Sequence, residues 1–125
     1  MKTSKDYMED ANAVVPRIDS ADAVAKHSDA ASVFVDVRDS ASIAQTGTIA
    51  GAHHIPRGML EFIADPATGA YNPALTKDAP IYLICAAGGQ AALAGKTLTD
   101  MGYTNVTNIG GISGWKDAGG PIESA

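Results

Sequence analysis

A single cysteine, Cys85, excludes an internal disulfide, so the fold has to stand on its core rather than on covalent staples, as in chains from reducing compartments. Basic runs are missing as well. The nine lysines and arginines are scattered and outnumbered by 14 acidic residues, giving a formal charge of −5; nucleic acid and anionic membrane surfaces are poor partners for such a chain. No apolar run approaches the ~18 residues of a membrane span, and the opening Met1-Lys2-Thr3-Ser4-Lys5-Asp6 lacks the apolar stretch of a signal peptide. No carboxylates are paired as in a hydrolase and no ligand cluster has metal spacing, so neither a metal nor another cofactor is expected. What is present is 46% apolar residues in a chain of 125, enough for one domain that buries roughly two thirds of its unfolded surface. The expectation is one cytoplasmic domain.

Residues 1–13 are polar apart from Tyr7 and Met8 and read as a tail or a short docking helix, with residues 14–125 forming the domain. Val14-Val15-Pro16-Arg17-Ile18 is a brief strand candidate whose proline suits a sheet edge, and Ser20 is expected to cap a helix running to about His27. Ser32 to Val37 is a continuous apolar, β-branched run, the pattern of a strand covered on both faces in a parallel sheet. A short helix from Arg38 to about Gln45, a very short strand near Ala52–Ile55 and helical turns over Gly58–Ile63 follow. Ala64 to Pro80 is rich in turn formers, and a connection of that length is often functional or partly mobile. Then come a strand over Ile81–Ile84, a helix ending near Gly102, a strand over Asn105–Ile109 and a last helix over Ile112–Ala118. This strand–helix rhythm predicts an α/β domain of three layers, a central parallel sheet of about five short strands with helices on both faces.

Binding sites in such sheets lie beyond the carboxyl ends of the strands, which is where Cys85 falls. It ends the Ile81–Ile84 strand and is followed by Ala86-Ala87-Gly88-Gly89-Gln90 and a helical run. A thiol at the mouth of a glycine loop that opens a helix meets converging backbone N–H groups, which favour a thiolate and any anion bound to it. Taken from composition alone, a buried structural thiol is an equal alternative.

Three ordered segments resemble the rhodanese-like family of single-domain sulfurtransferases: Asp36-Val37-Arg38-Asp39 with Gly47 to Pro56, Cys85 to Ala94, and Gly110-Gly111-Ile112-Ser113-Gly114-Trp115. The resemblance runs from about Ile18 to Trp115. It implies that Cys85 is a nucleophile that takes sulfane sulfur from a small donor, thiosulfate or a persulfide, and passes it from a cysteine persulfide to cyanide or a thiol, a protein thiol included. It also implies that the N–H groups of Ala86, Ala87, Gly88, Gly89 and Gln90 cradle the outer sulfur. Active relatives often carry arginine at the positions of Gln90 and Ala86, whereas no side chain from Ala79 to Gly95 is charged here. Feeble thiosulfate turnover is therefore expected beside better use of persulfides. Ser42-Ile43 and Thr48 depart from the usual acidic–aromatic pair and histidine.

Asp36 and Arg38 read as structural support, and Arg57 either as the cation that could serve the loop or, equally, as a solvated surface arginine. His53 and His54, adjacent on a strand, point to opposite faces and cannot easily share a metal. Trp115 reads as a packing anchor. Cysteine phosphatases share features of this arrangement but close a longer loop with arginine, against Gln90 here. The competing reading is a non-catalytic rhodanese-like module that binds a partner or senses sulfur or redox state through Cys85.

Overall fold

The computed structural model describes residues 1–124. In chain order the elements are α1 (Ser4–Val14), α2 (Ser20–Ala25), β1 (Val33–Asp36), α3 (Ser40–Thr46), β2 (Thr48–Ile49), β3 (His53–His54), a 3-10 turn (Arg57–Met59), α4 (Leu60–Ile63), β4 (Ile81–Cys85), α5 (Gly89–Asp100), β5 (Val106–Gly111), α6 (Ile112–Asp117) and β6 (Ile122–Glu123). The main sheet has four strands in the order β3-β1-β4-β5, all parallel. β2 and β6 form a separate antiparallel pair, which the sequence reading did not anticipate because two-residue strands carry no periodic signal.

Period-two alternation divides the core into two layers. Val35 of β1 and Ile81, Leu83 and Cys85 of β4 face one side, with Leu60 of α4 and Ala91, Ala94 and Leu98 of α5. Phe34, Ile84 and Ile109 face the other, with Ala23 of α2 and Ile112 and Trp115 of α6. Phe34 and Trp115 meet edge to face at 5.4 Å, so Trp115 does anchor its helix. Each fully buried Leu, Ile or Val contributes about 1.5–3 kcal/mol, and β4, which ends at Cys85, contributes to both layers.

Most of residues 1–13 is helical, from Ser4 onward. Thr3 and Asp6 form a reciprocal capping box at the start of α1, which satisfies N–H groups that would otherwise be orphaned. The helix packs on α5. A Cβ on Gly95 would come within 2.7 Å of the Val15 side chain, so glycine there lets the chain leaving α1 lie against α5. The expected strand over Val14–Ile18 reduces to one bridge between Arg17 and Asn108, because Val14 already belongs to α1. Pro16 takes part through its carbonyl, which accepts from the Asn108 N–H at 2.9 Å. Asp19, not Ser20, caps α2: its carboxylate accepts from the Asp22 N–H at 2.9 Å, and Ser20 is the first helical residue. The long connection before β4 is tied down, with Leu75 fully buried and the Tyr103 hydroxyl donating to the Ala64 carbonyl at 2.6 Å.

Candidate active site

β4 delivers Cys85 to the α5 side of the sheet, and the chain then turns sharply. Gly88 holds φ +99° and ψ −11°, a left-handed conformation that only glycine adopts at little cost. Gly88 is the N-cap of α5 yet has no side chain with which to cap it. The cysteine sulfur takes that role: Sγ accepts from the Gly88 N–H at 3.0 Å and from the Ala91 N–H at 3.4 Å. Helix starts leave their first amides unpaired, and here two N–H groups from that turn converge on sulfur. Such bonds strengthen when the acceptor carries negative charge.

The residue is 1% exposed, lying under a rim in which Ala86, Ala87 and Gln90 face solvent. Of the five loop residues expected to cradle sulfur, Gly88 donates to Sγ itself, and the second donor, Ala91, lies just past that range. The Ala86 carbonyl packs against β5, where a Cβ on Gly111 would come within 2.1 Å of it. That contact requires glycine at 111.

Two contributors escaped the sequence reading. Asn108, 1% exposed on β5, donates from Nδ2 to the Gly88 carbonyl at 2.9 Å and accepts the Gly110 N–H on Oδ1 at 2.9 Å. It thereby sets the peptide plane at the turn beneath the sulfur. An asparagine inside an apolar strand was the available signal, since a buried amide needs partners. The other is Arg17. Its guanidinium lies over the same turn: a Cβ on Gly88 would come within 2.5 Å of Nη1, and one on Gly110 within 3.1 Å of Nη2. Nothing local marks this arginine.

Asp36 and Arg38, each expected as structural support, pair with one another at the end of the neighbouring strand. Asp36 is fully buried and Arg38 is 3% exposed. Arg38 Nη2 donates to Asp36 Oδ2 at 2.7 Å and Nε to Oδ1 at 3.0 Å, while the Thr48 hydroxyl donates to Oδ2 at 2.8 Å. Next along the chain, the Ser42 N–H donates to Asp39 at 2.7 Å and holds that carboxyl below the ordinary aspartate value. Arg57 donates to Glu61 at 3.0 Å and to the Thr97 hydroxyl at 3.0 Å. It lines, with Tyr7, Met8, Gly89 and Leu93, a groove of about 590 Å³ between α1 and α5. His53 Nδ1 lies 3.2 Å from the Asn72 amide and His54 Nε2 lies 2.7 Å from the Arg38 carbonyl, so the two rings serve different neighbours. Among the described residues no three His, Cys, Asp or Glu side chains are grouped to hold a metal ion.

The family model of the rhodanese-like domain matches residues 20–118, from the first residue of α2 to just beyond α6. Among solved structures the chain is similar to a Rhodopseudomonas palustris protein of unknown function, called a possible tyrosine phosphatase, with 40% identity, 98% of this chain and 96% of that one covered, and a TM-score of 0.92. It is also similar to the polysulfide-sulfur transferase homodimer of Wolinella succinogenes, with 26% identity, 97% and 87% covered, and a TM-score of 0.75. The adenylyltransferase and sulfurtransferase UBA4 of Candida albicans is 49% identical over 43 residues, 34% of this chain. The chain spans only 10% of the length of that relative.

Proposed function

The chain belongs to the rhodanese-like domain family, and from that premise we propose that it is a sulfurtransferase carrying sulfane sulfur as a persulfide on Cys85. The observation that carries this reading is the pair of N–H groups aimed at a sulfur in a loop without charged side chains. The Cys85 thiolate attacks the outer sulfur of a donor. A new S–S bond forms to Sγ, the donor's own bond to that sulfur breaks, and the electron pair leaves with the remainder: a thiolate from a persulfide, sulfite from thiosulfate. An incoming thiol or cyanide then attacks the outer sulfur and returns Cys85 as thiolate, two displacements in ping-pong order. The chain has no second cysteine, so an acceptor outside it must take the sulfur.

The donor preference follows from charge. Thiosulfate is a dianion, and charge-assisted hydrogen bonds are worth about 1.5–3 kcal/mol each; a loop with Ala86 and Gln90 offers none from its own side chains. A persulfide places less charge at the site and suffers less from this. A phosphatase reading, raised by the name of the Rhodopseudomonas palustris neighbour, has the same difficulty in sharper form, since a bound phosphate calls for a guanidinium in the loop.

The test is intact-mass measurement after exposure to thiosulfate or an alkyl hydropersulfide. The expected result is a gain of one sulfur atom, absent from Cys85→Ser and removed by cyanide with repeated release of thiocyanate. The rival reading, a binding or sensing module, draws on the 1% exposure of Cys85. It would be favoured by a chain that takes up no sulfur, or that takes it up and never passes it on.

A further inference from the structure

We propose that Arg17 is the cation of the sulfur site, a guanidinium brought from a segment remote in sequence that binds the anionic end of a donor such as thiosulfate while the sulfane sulfur enters the cradle over Cys85. The inference rests on the persulfide reading and adds a donor-binding residue to it. The chain has three arginines. Arg38 is bound to Asp36 and Arg57 to Glu61, whereas Arg17 has no acidic partner among the described residues. It is exposed, so its charge is open to solutes.

The guanidinium has a built seat. Gly88 and Gly110 both hold positive φ, 99° and 85°; a Cβ at Gly88 would come within 2.5 Å of the Arg17 guanidinium, and one at Gly110 would press on it at 3.1 Å. Asn108 fixes the geometry from both ends. Its main chain bonds to Pro16 and Ile18 on either side of Arg17, and its side chain bonds to the carbonyl of Gly88, whose N–H donates to Sγ. One residue therefore couples the cation to the cradle. The planar fork of a guanidinium matches the oxygens of a sulfonate. In the transfer, the bond from Sγ to the sulfane sulfur forms, the S–S bond of thiosulfate breaks with its electron pair leaving on sulfite, and Arg17 stays protonated throughout, bound to the departing oxygens.

The experiment compares sulfur loading of the parent chain with Arg17→Ala and Arg17→Lys, using thiosulfate and an alkyl hydropersulfide without an ionic side chain. Arg17→Ala is expected to lower kcat/KM for thiosulfate about 10-fold to 100-fold, the scale of one or two charge-assisted bonds, chiefly through KM. It should leave the hydropersulfide rate within about twofold, and Arg17→Lys should recover part of the loss because it keeps the charge but not the fork. Loss with both donors at an unchanged melting temperature would make Arg17 a support of the loop and overturn its role as donor cation. So would no change with either donor, while continued loading of Cys85 left the sulfurtransferase reading standing. Failure of the parent chain to load from both donors would overturn that reading itself, and the role of Arg17 with it.

Discussion

β1 and β4 run side by side, with Asp36 in register with Ile84, and both deliver the chain to the same edge of the sheet. Their exits are built in opposite ways. Asp36 and Arg38 close the first with a buried ion pair whose carboxylate also accepts the Arg38 N–H and the Thr48 hydroxyl. The charges of Asp36 and Arg38 are matched inside the protein. The exit from β4 has no charged side chain of its own, and its turn directs main-chain N–H groups at one sulfur. A junction satisfied by side-chain charge holds the fold. On the proposed sulfurtransferase reading, one satisfied by main-chain dipoles around a thiol keeps electrostatic capacity in reserve for a ligand.

The sharpest way to break the comparison is to remove the acid from the first exit. Asp36→Ala leaves Arg38 buried without its partner, and breaking a buried pair costs about 3–5 kcal/mol, a large part of the 5–15 kcal/mol that typically holds a domain. Urea unfolding should show that loss, while Cys85→Ser shifts the midpoint far less. Comparable losses would mean that the two exits are equally structural. A smaller effect tests the other exit by giving it charge. Gln90→Arg should raise thiosulfate loading about tenfold or more, one charge-assisted bond or better, and should rescue much of the loss in Arg17→Ala if both cations serve the same anion. An unchanged thiosulfate rate in Gln90→Arg would count against charge as the limit on that donor.

The smallest effect concerns acid. Asp39 caps α3 beside Arg38, and its carboxyl is held below 3.8 chiefly by the Ser42 backbone N–H. With the folded value below the unfolded one, the unfolded chain takes up this proton first as pH falls. The cap's stabilisation is therefore whole above 3.8 and fades as pH drops through the lower, folded value. Asp39→Ala should lose stability near neutral pH and show a shallower acid dependence than the parent; parallel acid limbs would remove Asp39 from the account.

Much of the fold was legible because its signals are local. The run Ser32–Val37 and the sequence Ile81-Tyr82-Leu83-Ile84-Cys85 specify strands by β-branched and apolar character, and Gly88-Gly89 announces a turn into a helix. The central parallel sheet with helices on both faces follows, although four strands and one bridge at Arg17 stand where about five strands were expected. Cys85 was legible as a strand-end thiol, and Asp36 and Arg38 as structural residues, but not as each other's partners. Arg57 illustrates the limit: its position after a turn near the sheet edge suited both a cation serving the loop and a solvated surface arginine, and its pairing with Glu61 one helical turn later came only from the structure. The docking of α1, the β2–β6 pair and the approach of Arg17 to Gly88 depend on contacts between distant segments, for which no window of residues carries a periodic cue.

The order of strands and helices, and one thiol where a strand gives way to a glycine turn, belong to the sequence by itself, because backbone propensity and hydrophobic alternation act over a few residues. Which two amides face that sulfur, and which arginine lies over the Gly88 turn, was decided by the tertiary structure alone. Hydrogen-bond direction and the reach of a charge are set by how β5 lies along β4 and the Arg17 segment along β5, a placement fixed by burial of the whole sheet and not by any residue's neighbours in the chain.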